Sequence, residues 1–242
     1  MVQNISKDKL TLFLIGDSTM ADKPNPDQNP ERGWGQILPM FFDDHVKIQN
    51  FAVNGRSSKS FIDEGRWGSV LAEMRSGDYV FIQFGHNDQK NQDPTRYTNP
   101  YTGYRRNLEH FVITSRASGG FPVLFSSIVR RSFNQYGVLE DTHGSYPFVT
   151  RAVADALWVP FIDLQLMTED LVLRLGVEQS KELYMWLEPD QWDLYPQGAQ
   201  DDTHLSVAGA MAVARLATEG LRQSGVPLSQ FIVHELTETR SR

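Results

Sequence analysis

The sequence predicts an α/β fold, a parallel sheet of about five strands with helices on both faces in a three-layer α/β/α arrangement. Three observations carry that prediction. Short apolar runs stop abruptly at small polar residues, as in Leu12-Phe13-Leu14-Ile15 before Gly16-Asp17-Ser18. Segments with helical spacing alternate with these runs, and no internal repeat is present. The chain has 242 residues, 40% hydrophobic and 22% charged, which is ordinary for one large α/β domain spanning 1–242 with a substantial core.

Taken in order, the first strand empties into Asp17-Ser18-Thr19, and residues 21–32, with Pro24, Pro26 and Pro30, form a loop. Trp34, Ile37, Leu38 and Phe41 mark a helix with Pro39 in or near its first turn, and Trp34 reads as core. Residues 46–53 form a second strand ending at Asn54-Gly55, and a serine caps the short helix opening at 56–61. The clearest buried strand is 78–85, followed at once by His86-Asn87-Asp88. Tyr104, Leu108, Phe111, Val112 and Ser115 mark the next helix, closed by Gly119-Gly120. Residues 121–129 form a fourth strand, with Arg130-Arg131 after it. A helix at 145–157, a fifth strand at 159–164 with Pro160 near its start, and a helix at 166–176 follow. Residues 181–200, with Tyr184, Trp186, Trp192 and Tyr195, form a long irregular stretch before a final small-residue helix at 207–217 capped by Ser206.

The formal net charge of −7 argues against non-specific nucleic-acid binding. The absence of cysteine excludes disulfides, thiolate catalysis and Cys-ligated metals, and no His/Asp/Glu spacing suggests another metal site. No apolar run approaches the ~20 residues of a membrane span. Residues 1–9 are too polar and short for a signal peptide, so the compartment is secreted or periplasmic if a leader has been removed and cytoplasmic otherwise. The residues after the last helix carry no identifiable chemistry.

Polar residues collect where loops leave the sheet or precede a helix: Ser18, Asn54-Gly55, Asn87 and Asp201-Asp202-Thr203-His204. Each alone has a plain structural explanation, and Ser18 fits a helix cap as well as it fits a nucleophile. Together they supply the parts for acyl transfer. His204 is the candidate base for Ser18. Asp201, three residues earlier, is the candidate acceptor for the other imidazole nitrogen, with Asp202 the nearest competitor and the more solvent-facing of the two. The backbone N–H groups of Ser18 and Gly55 and the Asn87 amide are candidate oxyanion donors, each worth about 2.7–4 kcal/mol of barrier. Asp17 reads as a residue that shapes the turn.

Gly16-Asp17-Ser18, Asn54-Gly55, Gly85-His86-Asn87-Asp88 and Asp201-Asp202-Thr203-His204 resemble, in order, the four blocks of the SGNH (GDSL-type) hydrolase superfamily. Gly16 to Ala21, Arg32-Gly33-Trp34-Gly35, Asn54 to Ser58 and Phe84 to Asp88 are similar to its rhamnogalacturonan acetylesterase branch, in which Thr commonly stands at the position of Thr19. The resemblance implies a flavodoxin-like sandwich and a serine carboxylic-ester hydrolase. Its implied reaction removes O-acetyl groups from rhamnogalacturonan, a pectic polysaccharide, through an acetyl-serine intermediate, without metal or organic cofactor. The implied partner is an acetylated polysaccharide or oligosaccharide, with no nucleic acid or membrane; oligomeric state is not set by the sequence.

Arg56 and Arg130 are candidate carboxylate contacts, whereas Arg131 reads slightly more as a partner for a loop carboxylate. His86, His143 and Trp192 are further candidate substrate contacts, with no more than one or two rings of the 184–195 cluster expected to touch sugar. The competing readings are another SGNH acyl hydrolase, such as an acetylxylan esterase, a lipolytic esterase or a thioesterase, and a non-catalytic carbohydrate-binding domain. A phosphate-binding reading of residues 16–19 lacks a Gly-rich loop and places Asp17 against the anion.

Overall fold

The computed structural model describes residues 9–233, so the polar N-terminal stretch and the end of the C-terminal tail lie outside the described residues, apart from Lys9. Its first strand, β1 (Leu10–Gly16), is buried through its C-terminal half. It is followed by a two-residue strand β2 (Glu31–Arg32), helix α1 (Trp34–Ile37) and strand β3 (Val46–Asn50). Helices α2 (Ser58–Asp63) and α3 (Arg66–Glu73) precede the fully buried β4 (Tyr79–Gln83). Then come α4 (Arg105–Ala117), β5 (Phe121–Phe125), α5 (Tyr146–Leu157), β6 (Phe161–Ile162) and α6 (Leu164–Gln179). The chain continues through β7 (Tyr184–Leu187), β8 (Ala199–Ser206) and α7 (Val207–Ser224).

Five strands pair in parallel in the order β3-β1-β4-β5-β6, the flavodoxin-like arrangement. Alternation along each strand divides the core into two layers. Leu12, Leu14, Phe81, Val123 and Phe125 face one layer with Trp34, Leu164 and the small residues Ala210, Ala214 and Ala217 of α7. Phe13, Ile15, Val80, Ile82 and Leu124 face the other with Phe61, Trp67, Phe111 and Val153 from α2 to α5. Connections pass to opposite faces on either side of β1 and β4, so the crevice beyond the carboxyl ends of these two strands is the switch point of the sheet.

Several elements differ from the sequence expectation for local reasons. The second strand stops at Asn50, whose side chain turns the chain by accepting from Ala52 N–H and donating to the Met20 carbonyl. The helix at 34–42 is one α-helical turn followed by a 3-10 turn, Leu38–Phe41, with Pro39 near its start. Helix α3 has no counterpart in the sequence expectation, because only Trp67 and Val70 are buried along it and Gly68 beside them is a poor helix former. The fifth strand is only two residues long, since Pro160 has no N–H and Asp163 caps α6. Gly176, at φ 71, interrupts α6, and α7 runs on to Ser224 before Gly225 closes it.

The largest correction is at 181–200. Instead of an irregular stretch, it holds β7 and the start of β8, an antiparallel pair that β2 extends into a second sheet of order β2-β8-β7. This sheet is locked to the first by α7, which follows β8 directly and packs so closely on the 3-10 turn Ser180–Leu183 that a Cβ at Gly209 would stand 1.8 Å from the Leu183 carbonyl oxygen. Helix propensity alone favours alanine over glycine by about 1 kcal/mol. The backbone contact reverses that preference, so Gly209→Ala loses about 1–3 kcal/mol, read as a lower urea midpoint; a midpoint at or above that of the parent would show that the helix has room.

Candidate active site

The turn that carries Ser18 is built by Asp17. Its Oδ1 accepts the Thr19 N–H at 2.9 Å and the Thr19 hydroxyl at 2.9 Å, and its carbonyl accepts from Met20 and Ala21. Burial pushes this carboxyl up, but the facing His86 ring and the Thr19 donors more than offset that and hold it at about 2. The Arg32-Gly33-Trp34-Gly35 stretch backs the turn: Trp34 N–H bonds the Thr19 carbonyl, and its indole N–H bonds Gln83 Oε1. A Cβ at Gly33 would collide with the Ala21 carbonyl, and one at Gly35 with that of Met20. Ser18, 9% exposed at the top of this turn, caps no helix. Its Oγ lies 2.9 Å from His204 Nε2.

Asp201 and His204 reach one side of β8 by a bulge. Met185 pairs with Asp201 and its neighbour Tyr184 with Leu205, so residues 202–204 stand out of the ladder. Asp201 Oδ1 accepts the N–H groups of Thr203 and His204, fixing the bulge, and Oδ2 accepts the His204 Nδ1–H at 2.7 Å. Partial burial pushes the Asp201 carboxyl up, yet the hydrogen bonds and charge of His204 leave it well below the usual carboxylate range. The same hydrogen bond raises His204 above the ordinary imidazole value, against the opposing effect of burial.

Asp202 points elsewhere. Its side chain is 40% exposed, and its Oδ1 accepts from Arg131 Nη1 at 2.7 Å and from the Trp186 indole at 2.8 Å. Arg131 is buried, also donates to Ser180 Oγ and the Val177 carbonyl, and so pins the bulge rather than meeting a ligand.

Gly55, at φ 75, occupies the left-handed region that favours glycine. Among the described residues, the backbone N–H groups of Ser18 and Gly55 donate to no protein acceptor. Asn87 Nδ2 donates one hydrogen to the Arg56 carbonyl at 3.1 Å, which tethers the amide to the Gly55 loop and leaves its second N–H. Ser57 caps α2 in a reciprocal capping box with Ser60. The neighbouring Asp88 is fully buried and grips Ser58 through its N–H and, at 2.5 Å, its hydroxyl, while Thr98 donates to it at 2.8 Å. Burial lifts the Asp88 carboxyl to about 6 against those donors.

The remaining candidates divide. His86 and His143 are 3% and 2% exposed and meet edge to face under the turn, which removes them from the substrate surface. His86 Nδ1 lies 3.2 Å from Asp17 Oδ2, out of line for a hydrogen bond, and His143 Nε2–H donates to the Ile128 carbonyl. Burial lowers both rings below the ordinary imidazole value, with the Asp17 carboxylate opposing it at His86. Arg130 remains near the site, donating to the His86 carbonyl. Arg56 ion-pairs with Glu64 at 2.8 Å and is a quarter exposed. Trp192 is half-buried in the connection between β7 and β8, whereas Tyr184 is core and Trp186 has Arg131 and Lys181 against its ring. No three His, Asp or Glu side chains converge as metal ligands among the described residues.

Sequence reasoning missed Lys23. Its side chain is 1% exposed, and its ammonium donates to the Ser18 carbonyl at 2.8 Å and Asn54 Oδ1 at 2.7 Å while pairing with Glu31 Oε1 at 2.8 Å. A lone lysine in a Pro-rich loop gives no periodic signal. Lys23→Met leaves three acceptors without their donor and costs about 3 kcal/mol, measurable as a lower urea midpoint.

Residues 14–212 match the model of the GDSL-like lipase/acylhydrolase family. The chain is 42% identical over 227 residues to the rhamnogalacturonan acetylesterase RhgT of Bacillus subtilis, covering 94% of this chain and 96% of that protein. It is 32% identical over 224 residues to the probable rhamnogalacturonan acetylesterase YesY of the same organism, covering 93% and 98%. The crystal structure of YxiM from Bacillus subtilis superposes with a TM-score of 0.76 at 26% identity, covering 90% of this chain and 58% of that one. Fold, ordered sequence blocks and family match agree: the chain belongs to the GDSL-like lipase/acylhydrolase family.

Proposed function

We propose that this chain is an esterase that removes O-acetyl groups from rhamnogalacturonan, with Ser18 as nucleophile, His204 as general base and acid, and Asp201 as the residue that orients and charges the imidazole. The observation that carries the reading is the continuous relay from Asp201 Oδ2 through His204 to Ser18 Oγ, at 2.7 and 2.9 Å, beside two backbone N–H groups without a protein acceptor. The substrate is supported by the near full-length similarity to RhgT and YesY.

In this reading the Ser18 hydroxyl gives its proton to His204 Nε2 as Oγ attacks the acetyl carbonyl. The oxyanion faces the Ser18 and Gly55 N–H groups and the free N–H of Asn87, while Asp201 stabilises the imidazolium. His204 then protonates the departing sugar hydroxyl, leaving acetyl-serine. Water, deprotonated by the same imidazole, repeats the addition and releases acetate, and Ser18 recovers its proton.

Acetate release from acetylated rhamnogalacturonan against acetylated xylan tests the reading directly: preference for the pectic polymer is expected, and faster release from xylan would overturn it. Ser18→Ala removes hydrolysis without lowering the melting temperature, so retained turnover would reassign the nucleophile. Asp201→Asn lowers kcat by ~10⁴-fold, far more than Asp202→Asn, whose side chain serves Arg131 and Trp186.

The pH profile follows from His204. The base must be neutral, and its pKa is raised by Asp201, so kcat/KM falls as pH drops through a value above the ordinary imidazole 6.5. Asp201→Asn removes the main cause of that rise and moves the acid limb of the residual activity downward; a limb that stays in place would assign it to another group.

A further inference from the structure

Beside the Gly55 loop lies an open groove of about 480 Å³ lined by Arg56, Lys59, Asp63, Glu64, Thr95 and Arg96. Arg96 was not a sequence candidate, yet its guanidinium lies against the bare face of Gly55, where a Cβ would stand 3.5 Å from Nη1 and 3.8 Å from Nη2. Arg96 Nε pairs with Asp93 Oδ2 at 3.0 Å, on the side away from its terminal nitrogens. Among the described residues, Nη1 and Nη2 have no hydrogen-bond or ion-pair partner. Lys59 donates only to the Pro94 carbonyl, at 2.7 Å, and has no carboxylate partner. Of the groove's acidic residues, Glu64 is shared by Arg56 and Arg66, and among the described residues Asp63 pairs with neither Arg96 nor Lys59.

An orientated guanidinium with both terminal nitrogens open is suited to a planar carboxylate. Its position matters as much as its charge. In the proposed reaction the acetyl carbonyl sits on Gly55 N–H, so the sugar carrying that acetyl lies within one ring's width of Arg96. A hexuronate carries its carboxylate on the same ring as its esterifiable hydroxyls, at that order of separation. The neighbourhood is also cationic beyond the groove: Lys90 is lowered by burial and then by the charges of Arg96 and Arg130. In a chain of net charge −7, that concentration next to Gly55 is local.

We infer that Arg96 and Lys59, flanked by Arg56, form a subsite for the carboxylate of a uronate residue, which seats the acetylated ring at the Ser18 turn. This rests on the proposed deacetylation of a uronate-containing polymer and assigns recognition of its charge to named residues. Arg130, which donates to the His86 carbonyl, is not required for it.

The test measures kcat and KM for acetate release from an acetylated rhamnogalacturonan oligosaccharide with free uronates and from the same oligosaccharide with its uronates methyl-esterified. For Arg96→Gln and Lys59→Gln, kcat/KM on the free uronate falls about tenfold or more, as expected for loss of a charge-assisted hydrogen bond, mainly through KM. On the methyl ester the loss is several-fold smaller, and the double variant no longer distinguishes the two substrates. Equal losses on both substrates would show that Arg96 only props Gly55, and no loss on either would show that the groove is not used; each overturns the subsite alone. A parent enzyme that turns over neither oligosaccharide overturns the reading of function and the subsite with it.

Discussion

The buried ammonium of Lys23 is the interaction on which the arrangement depends. It holds the carbonyl of Ser18, the side chain of the residue before Gly55, and Glu31 on the strand that pairs with β8. Those are three chain segments that no regular element joins. A buried charge is tolerated only where its donors are satisfied, and here three acceptors meet one ammonium. The same bonds therefore satisfy the charge and place Ser18, the Gly55 loop and β8 of the second sheet in one frame. Tyr195 adds a longer contact, at 3.4 Å, from the connection between β7 and β8 to Glu31.

Beneath that frame lies a layer of buried polar groups whose ionisation is set by environment. The His86 ring and the Thr19 donors hold Asp17 low against burial, while burial lowers His86 and His143. His204 is raised instead, first by its direct hydrogen bond to Asp201. Asp88 does a different job, since its carboxylate ties α2 to the loop after β4, alongside the Asn87 bond to the Arg56 carbonyl next to Gly55.

The sheet was legible because its central strands β1, β4 and β5 are largely buried on both faces and read as apolar runs, and the polar residues at the ends of β1 and β4 were legible because those runs stop so sharply. The second sheet was not. Its strands are short, β8 reads Ala-Gln-Asp-Asp-Thr-His-Leu-Ser, and a strand carrying a three-residue bulge and mostly polar side chains has no alternation to detect. His86 and His143 looked like contacts because proximity in sequence to Asn87, or to a loop after a strand, says nothing of which way a ring turns. Arg131 illustrates the converse: the sequence placed it correctly past β5, and only the fold shows that its charge is consumed by Asp202.

The bulge explains why the spacing Asp201-x-x-His204 serves where a flat strand could not. In regular pleating, residues three apart project to opposite faces, so an imidazole and its carboxylate at that spacing would never meet. Extruding residues 202–204 brings them to one side, and the cost is a segment without ladder bonds. The replacement bonds come from both aspartates, with Asp201 accepting the N–H groups inside the bulge and Asp202 anchoring its outer side to Arg131, whose own N–H bonds the Asp202 carbonyl. The two adjacent carboxylates thus have opposite duties, one toward the chemistry and one toward the scaffold, and the direction each side chain takes out of the bulge decides which is which.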